Sequence, residues 1–408
     1  MFNRAPKKLR EMIIIKICFI SSIYPPATMG GGSVVVEKIA TNLLKRGHEV
    51  FVITTSSGKS PQICTVNGVK TYRLPLNIYF LPEFHLKNPL EKVSWHLIDL
   101  FNISAYWKIK EILKKETPDI VHIHTYQGLS KLVFKTVKDI KIPLVFTAHD
   151  YSPICIRTNL LNKKENICKN QNLPCRLYNQ IQKIFIDNKP DVVTAPSKFT
   201  LKKLESRGLF RDIKKIVLPN PIETRKKTTK KYYENIDILF VGSLSKHKGP
   251  QILIKAFKKL KEDNLKLHIL GRGPDEDELR KLAEGDNGIM FHGFLSGDEL
   301  MGMYQRANMT VLPSICYDNS PMVIYESLMN STPVIASRIG GIPELIRDGY
   351  NGFLFEPGSV VELSRILKKI SEDPSILKGL ERNAYESSQK YSIEDHVKRL
   401  EEIYRGLL

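Results

Sequence analysis

The sequence predicts an α/β protein made of two doubly wound, mostly parallel sheets, each in its own domain. Its 408 residues exceed what one hydrophobic core usually holds, so two domains of about 200 residues are expected. Strand-like and helix-like segments alternate through both halves, which is typical of sheets with helices on both faces. Between the halves, residues 219–231 contain two prolines and several lysines, a composition that favours a linker.

Six strands are predicted in the first half, each a short apolar run bounded by turn residues. They cover residues 13–21, 49–55, 69–74, 119–124, 144–148 and 191–195. The helix after the first strand is expected to begin near Ser33, a favourable N-cap residue, and to end at Gly47. Its core-facing side chains recur at helical spacing, at Val36, Ile39, Ala40, Leu43 and Leu44.

The second half repeats the alternation. Its predicted strands cover residues 236–241, 265–270, 288–291, 309–312, 333–336 and 352–355, and a charged amphipathic helix closes the chain. We therefore expect a first domain over 1–218, a linker over 219–232, a second domain over 233–390 and a terminal helix over 391–408.

The composition is that of an ordinary globular protein except for its charge. Apolar residues make up 42% and charged residues 26%, but the net charge is +19. An anionic membrane surface or an acidic substrate fits such a balance, as does a lysine-rich proteome. The chain lacks a nucleic-acid-binding signature, which disfavours nucleic acid as a partner.

The N-terminal apolar run, residues 12–20, is interrupted by Lys16 and is followed by glycines rather than a cleavage pattern. It therefore indicates a first buried strand and not a signal peptide. No run reaches the roughly 18 apolar residues of a membrane span. Six scattered cysteines do not resemble a disulfide framework, so we expect a cytoplasmic protein, with peripheral contact at the cytoplasmic membrane face left open.

Two acids, Asp318 and Glu326, stand eight positions apart across an apolar stretch. A strand-like run precedes Asp318, and a helix-like run contains Glu326. The first acid is thus predicted on a loop at the carboxyl end of a strand, the edge where parallel sheets bind ligands. Amide groups at the start of the helix suit an anion such as a diphosphate, and a carboxylate inside the helix suits a diol such as ribose.

This segment resembles the acid-x7-acid signature of the retaining glycosyltransferases of family four. That resemblance implies the GT-B fold, in which two Rossmann-like domains face a central cleft and the terminal helix crosses back to the first domain. It also implies transfer of a sugar from a UDP- or GDP-sugar, without a metal cofactor, to a glycan or lipid-linked acceptor. Asp318 departs from the family pattern, which has glutamate at this position.

Further motifs carry the resemblance. The glycine loop before the first helix supplies Gly31 and Gly32, and the fifth strand ends at His149, which matches an inter-domain histidine of the family. The second domain opens with Gly242 and Ser243, and Lys248 follows. The family has an arginine where this chain has Ser243, and Lys246 or His247 is left open as a substitute.

The resemblance assigns a role to each of these positions. His149, Lys248 and Asp318 form the expected catalytic set, in which Lys248 stabilises the departing diphosphate and the other two orient the sugar. No carboxylate is placed as a nucleophile, so a same-face mechanism is expected. Donor binding is expected at Gly31, Gly32, Gly242, Ser243, Gly271, Gly273, Met322, Val323 and Glu326. Glu344 begins a late helical turn and is interpreted as a dipole partner outside the catalytic set.

Two further alternatives stay open. Ser243 and Asp318 motivate a nucleotide-sugar-binding protein with little turnover. A glucan synthase of the same fold is less favoured, because it is expected to carry a lysine where this chain has Met29. Three cysteines in the loop after His149 are weak candidates for a structural zinc site, which typically needs a fourth ligand: Cys155, Cys168 and Cys175.

Overall fold

Two sheets organise the chain, one in each half of the sequence. The computed structural model describes residues 13–28, 30–162, 164–224, 235–260 and 262–408. The first sheet has the order β3-β4-β2-β1-β5-β6-β7-β8 and is parallel except for β3, which runs antiparallel to β4. Its strands are β1 (Lys16–Ile20), β2 (Glu49–Thr55), β3 (Gln62–Val66), β4 (Val69–Leu74), β5 (Ile120–Ile123), β6 (Leu144–Thr147), β7 (Val192–Ala195) and β8 (Lys214–Val217).

The second sheet is parallel and has the order β11-β10-β9-β12-β13-β14. Its strands are β9 (Ile236–Val241), β10 (Leu265–Leu270), β11 (Ile289–Gly293), β12 (Met309–Leu312), β13 (Val334–Ser337) and β14 (Gly352–Phe355). Strand order reverses between β1 and β5 in the first sheet and between β9 and β12 in the second. Ligands bind such sheets in the crevice at these switch points, beyond the carboxyl ends of the strands.

Helices cover both sheets and bury their apolar stripes against them. The first half contains α1 (Gly31–Lys45), α2 (Pro89–Leu100), α3 (Ile103–Glu116), α4 (Leu132–Asp139), α5 (Leu173–Ile186) and α6 (Lys198–Ser206). The second half contains α7 (Pro250–Lys258), α8 (Glu276–Ala283), α9 (Gly297–Arg306), α10 (Met322–Met329), α11 (Val360–Glu372), α12 (Ile376–Ser388) and α13 (Ile393–Arg405).

The final helix, α13, packs on the first half of the chain. Val397, Leu400 and Tyr404 are buried in one cluster with Val36 and Ile39 of α1. Beside this cluster, the Glu401 carboxylate of α13 accepts hydrogen bonds of 2.5 and 3.0 Å from the guanidinium of Arg46, which follows α1. The terminal helix is therefore part of the core that supports the first sheet.

Two details differ from the sequence-based expectation. Helix α1 begins at Gly31 rather than near Ser33: Gly30 precedes it with a φ of 73°, and the Ser33 hydroxyl lies inside the first turn, where it donates to the Gly30 carbonyl oxygen (3.3 Å). Strands β3 and β8 were not predicted. Both lie at sheet edges: β3 is largely exposed and β8 is only partly buried, and neither has the continuous apolar run that predicts the other strands.

The expected linker lies only partly within the structure. Residues 225–232 fall outside the described ranges, whereas Ile222 pairs with the segment before α13 through a hydrogen bond of 2.8 Å from its amide to the Tyr391 carbonyl oxygen. Among the residues that the structure describes, no helix is long and apolar enough to traverse a bilayer.

Candidate active site

The loop after β12 carries an ion pair at the carboxyl edge of the second sheet. Lys248 Nζ lies 2.5 Å from Asp318 Oδ1, and Ser314 Oγ donates a 2.5 Å hydrogen bond to Asp318 Oδ2. Both carboxylate oxygens are therefore held in place. Two residues that the sequence predicts to act together thus meet, although 70 positions separate them.

A glycine makes this meeting possible. Lys248 ends the short 3-10 turn Lys246–Lys248, and Gly249 follows with a φ of 77°. A Cβ atom on Gly249 would lie 1.9 Å from the carbonyl oxygen of Pro313, so only glycine lets the turn lie against the loop after β12.

Electrostatics keep Lys248 positively charged. Burial alone would lower the pKa of its ammonium group, but the charge of Asp318, the influence of Cys316 and the hydrogen bond to Asp318 together outweigh burial, so the pKa is raised. A fixed cation at this edge suits a leaving anion such as a diphosphate.

Helix α10 begins directly after this loop, at Met322, with Pro321 as its N-cap. The amides of Met322 and Val323 are the first of the helix and have no partner within it. One turn later Glu326 is largely buried, and its Oε2 accepts a 2.9 Å hydrogen bond from the Tyr304 hydroxyl of α9. Burial raises the pKa of Glu326, and the Tyr304 hydrogen bond opposes this shift.

The glycine loop of the first domain lies across the cleft from α10. A Cβ atom on Gly31 would come within 2.7 Å of Met322 Cγ, and one on Gly32 would lie 4.0 Å from His149 Cγ. Gly31 and Gly32, which the structure places in the first turn of α1, therefore lie between the start of α10 and His149, and three separately predicted positions come together. Met29, which stands where a glucan synthase is expected to have a lysine, lies outside the described residues.

His149 follows β6 and is neutral at physiological pH, because burial lowers its pKa to about 4. Its Nε2 lies 2.8 Å from Nδ1 of His124, and the two rings stack with centroids 5.1 Å apart. His122 continues the stack, with its ring centroid 4.1 Å from that of His124, and its Nδ1 lies 2.7 Å from the Tyr404 hydroxyl of α13. The structure thus places His124, a residue of the predicted strand over 119–124, in direct contact with His149.

Two glycine motifs of the second domain form one wall. A Cβ atom on Gly271, which has a φ of 135°, would lie 1.8 Å from the carbonyl oxygen of Gly242. One on Gly273 would lie 2.3 Å from the carbonyl oxygen of Leu244. The loops after β9 and β10 therefore touch backbone to backbone, which explains why glycine occupies these positions.

Lys246 and His247, the two residues left open as substitutes for the missing arginine, each face a carboxylate. Ser243 is exposed on this wall. Lys246 Nζ lies 2.9 Å from Glu278 Oε2 on α8, and His247 Nδ1 lies 3.5 Å from Glu165 Oε2 in the first half. Each candidate substitute is thus engaged by a carboxylate, which leaves Lys248 as the cation beside Asp318.

Asn319, which the sequence did not single out, joins the two domains beside the site. Its Nδ2 donates to the carbonyl oxygen of His149 (2.8 Å), and its Oδ1 accepts from the hydroxyls of Ser197 (2.6 Å) and Thr200. Asp318 and His149 are therefore positioned relative to each other through one side chain. Ser197 was recognisable as a helix cap, but a partner 122 residues away gives no local signal.

Glu344 makes a second link between the domains. Its two carboxylate oxygens accept hydrogen bonds of 2.8 Å from the amides of Lys198 and Phe199, the first residues of α6. The sequence predicted that Glu344 interacts with the dipole of its own helical turn. In the structure its carboxylate instead caps the N-terminus of α6, a helix of the other domain.

A cavity of about 250 Å³ opens beside His149 on the first domain. Gly32 and Asp150 line it, as does Ser22, whose buried hydroxyl has no hydrogen-bond partner among the described residues. Burial raises the pKa of Asp150. The cavity thus offers neutral or weakly acidic hydrogen-bonding groups, which fit hydroxyl-rich ligands.

The three cysteines after His149 are free thiols of intermediate exposure. Within the described ranges, no group of three or more His, Cys, Asp and Glu side chains is arranged to hold a metal ion. The weak zinc candidates Cys155, Cys168 and Cys175 therefore gain no support from their geometry.

Two family models together match residues 29–387. The model for Glycosyltransferase Family 4 matches residues 29–226, and the model for glycosyl transferases group 1 matches residues 221–387. The junction of the two matches falls at the expected linker.

Relatives cover the chain over nearly its whole length. An uncharacterized glycosyltransferase of Methanocaldococcus jannaschii is 27% identical, with 96% of this chain and 98% of the relative aligned. The alpha-monoglucosyldiacylglycerol synthase of Acholeplasma laidlawii is 26% identical over 97% of this chain and 98% of its own.

The fold is also found among solved structures. Anabaena HepE in complex with UDP superposes with a TM-score of 0.73 over 96% of this chain and 100% of that chain, at 18% identity. This similarity confirms the expected GT-B architecture of two facing Rossmann-like domains.

Proposed function

Because the chain belongs to the glycosyl transferases group 1 family, we propose that it is a retaining, metal-independent hexosyltransferase. It moves a sugar from a nucleotide-diphosphate sugar to a glycan or lipid-linked acceptor, in the assembly of cell-surface polysaccharide or glycolipid. The observation that carries the proposal is the line formed by Lys248, Asp318, the start of α10 and Glu326 along the cleft edge of the second domain.

The parts of the donor, from base to sugar, are each assigned to residues along this edge. The wall made by Gly242, Gly271 and Gly273 brings backbone close to a bound nucleotide, as flat ligands require. Glu326 has one oxygen held by Tyr304, so its other oxygen accepts hydrogen bonds from ribose hydroxyls.

The departing diphosphate is stabilised by fixed charge. Lys248 supplies a cation, and the amides of Met322 and Val323 supply the positive end of a helix. Groups that are already oriented toward the developing charge lower the barrier without reorganising. Asp318 holds the ammonium group of Lys248 in this orientation and accepts a hydrogen bond from a hydroxyl of the sugar.

The first domain supplies the acceptor side. His149 is uncharged and therefore acts as a hydrogen-bonding partner of the transferring sugar rather than as a cation. The cavity beside it receives the acceptor hydroxyl, and closing the cleft excludes water that would hydrolyse the donor.

The relatives favour this class of substrates. The name of the Acholeplasma relative specifies a diacylglycerol acceptor, which supports a lipid-linked acceptor for this chain. The HepE structure holds UDP in the same fold, which supports a uridine nucleotide as the first donor to test.

A second candidate function is nucleotide-sugar binding with little turnover. It is favoured by Ser243, which removes a cation from the donor site, and by Asp318, which is one methylene shorter than glutamate. Binding without product would support it.

The first experiment measures nucleotide release by the purified protein from UDP-, GDP- and ADP-sugars, with and without EDTA. Glu326→Ala is expected to lower release from the one active donor at least about tenfold, because the ribose loses its carboxylate partner. The matched control is Glu372→Ala, which removes an exposed acid of α11 and should leave the rate unchanged.

EDTA-insensitive release that is lost only in Glu326→Ala supports the proposal. Full inhibition by EDTA contradicts its metal-independent part. Nucleotide binding without release, even after a membrane extract is added as a source of acceptors, favours the binding protein.

A further inference from the structure

Exposed large apolar side chains are concentrated in one part of the first domain. Among the described residues, eleven of the seventeen such side chains fall within 78–107 or 173–184, and the remaining six are scattered over the molecule. Single exposed apolar residues are ordinary, but a concentration of this kind marks a contact surface.

Helix α2 presents an apolar stripe to solvent. Leu90, Val93 and Leu97 recur at helical spacing and are 80%, 58% and 62% exposed. The opposite face is fixed to the domain: Trp95 is buried, and buried Asp99 accepts a 2.5 Å hydrogen bond from Lys131 Nζ. The stripe is therefore held outward by a well-anchored helix.

Helix α5 adds a second stripe. Leu173, Leu177 and Ile184 lie on one side of the helix and are each more than 60% exposed. The ring of Phe101, directly after α2, lies 6.2 Å from the ring of Phe185, the neighbour of Ile184. The two stripes are thus joined into one surface, here called the α2–α5 surface.

Lysines and aromatic rings border the α2–α5 surface. Lys92 Nζ lies 5.5 Å from the Phe84 ring, and Lys110 Nζ lies 5.2 Å from the ring of Trp107, which is 60% exposed. Helices that lie in the interface of an anionic bilayer typically have leucines on one face and lysine and tryptophan at its border. The net charge of +19 adds long-range attraction to such a bilayer.

The α2–α5 surface also adjoins the acceptor side of the cleft. The segment that leads into α2 begins at Leu81, and Leu81 lines the cavity beside His149. We infer that the α2–α5 surface docks on an anionic lipid bilayer and places this cavity where a lipid-linked acceptor reaches it from the membrane. The docking follows from the surface alone, whereas the delivery of an acceptor rests on the proposed function.

The test is sedimentation of the full chain with vesicles of phosphatidylglycerol and phosphatidylethanolamine in equal parts, beside vesicles of phosphatidylcholine alone. The variant L90S/V93S/L97S removes the α2 stripe without disturbing a buried side chain. The matched control, I63S/V361S/L408S, removes three equally exposed apolar side chains elsewhere.

We expect the wild type and the control to bind the anionic vesicles, and the α2 variant to bind at least about tenfold more weakly. Equal vesicle binding by both variants, or no binding by the wild type, would overturn the inference. So would conversion of a dimer to a monomer by the α2 substitutions in light scattering, because the surface would then join two copies of the chain.

Donor nucleotide release by the same variants separates this inference from the proposed function. The α2 variant should retain the basal release rate, since α2 contributes no donor contact. Vesicle binding without release from any donor would keep the docking surface and contradict the transferase.

Discussion

The cleft edge of the second domain is lined by charged side chains, whereas that of the first domain carries a neutral histidine, a buried hydroxyl and one carboxyl group, that of Asp150. On one side Lys248, Asp318 and Glu326 are held by short hydrogen bonds and by backbone contact between glycine loops. On the other side His149 and the Ser22 hydroxyl are buried without charge. The difference fits the proposed function, in which a diphosphate leaves from one side and hydroxyl groups are positioned on the other.

The largest effect is expected from removing the cation of the charged side. Lys248→Ala should lower nucleotide release about 100- to 1,000-fold, the usual effect of losing one preorganised group that stabilises developing charge. Lys246→Ala, two residues away, removes an exposed lysine that pairs with Glu278 and should change the rate less than about threefold. Equal losses in steady-state assays of both variants would mean that the charge is not localised at Lys248.

Alanine substitutions in the glycine motifs of the two domains test whether both cleft edges are equally rigid. Gly271→Ala should destabilise the protein by about 3 kcal/mol, because its Cβ atom would overlap the Gly242 carbonyl oxygen at a positive φ. Gly32→Ala, in the first domain, finds open space up to His149 and should change stability by less than about 1 kcal/mol. Urea denaturation of both variants measures the difference, and similar midpoints would contradict the close contact of β9 and β10 loops.

Asn319 connects the two edges. Asn319→Ala should lower the free energy of unfolding by about 2 kcal/mol, since it leaves the partners of a largely buried amide unsatisfied. Asn287→Ala, in an exposed loop, serves as the control and should change stability by less than about 0.5 kcal/mol. An Asn319→Ala protein with unchanged stability would show that the domains are held together elsewhere.

A further test concerns pH. The folded pKa of His149, about 4, lies below the ordinary histidine value of about 6.5. Below pH 6.5 the unfolded chain therefore binds a proton that the folded chain does not, and stability falls as the pH drops toward 4. His149→Gln should make this fall shallower in denaturation curves measured between pH 7 and pH 4.

Activity should respond differently to the same titration. Because His149 stays neutral and Lys248 stays charged through the neutral range, neither group should produce a step in the rate near pH 6.5. A step near pH 6.5 in wild type that disappears in His149→Gln would show that the histidine is protonated in the working enzyme.

Much of this architecture follows from local sequence patterns. The predicted strands are buried runs, and the residues matched to motifs lie at the carboxyl ends of those strands because parallel sheets place their loops there. Lys248 and Asp318 were expected to share the donor site, but the ion pair between them was not predicted and is a finding of the structure. Strands β3 and β8 escaped prediction because they lie at sheet edges, where exposure removes the apolar pattern.

The contacts between domains could not be predicted. Asn319 and Glu344 are ordinary polar residues in their own segments, and their roles arise from a partner more than 100 positions away. The contact of His124 with His149 gave no sequence signal, because strand alternation shows which face a side chain takes but not which residue it contacts. Such contacts depend on how two domains are placed, which short-range patterns do not encode.

The stacked histidines bear on how the protein is made. His149 rests on His124, His124 stacks on His122, and His122 is bonded to the Tyr404 hydroxyl, 282 residues later in the chain. During synthesis the first domain emerges long before α13 and carries an open apolar wall where Val397, Leu400 and Tyr404 belong. The first domain therefore emerges from the ribosome incomplete, and His149 acquires its final support only when the last helix of the chain has been translated.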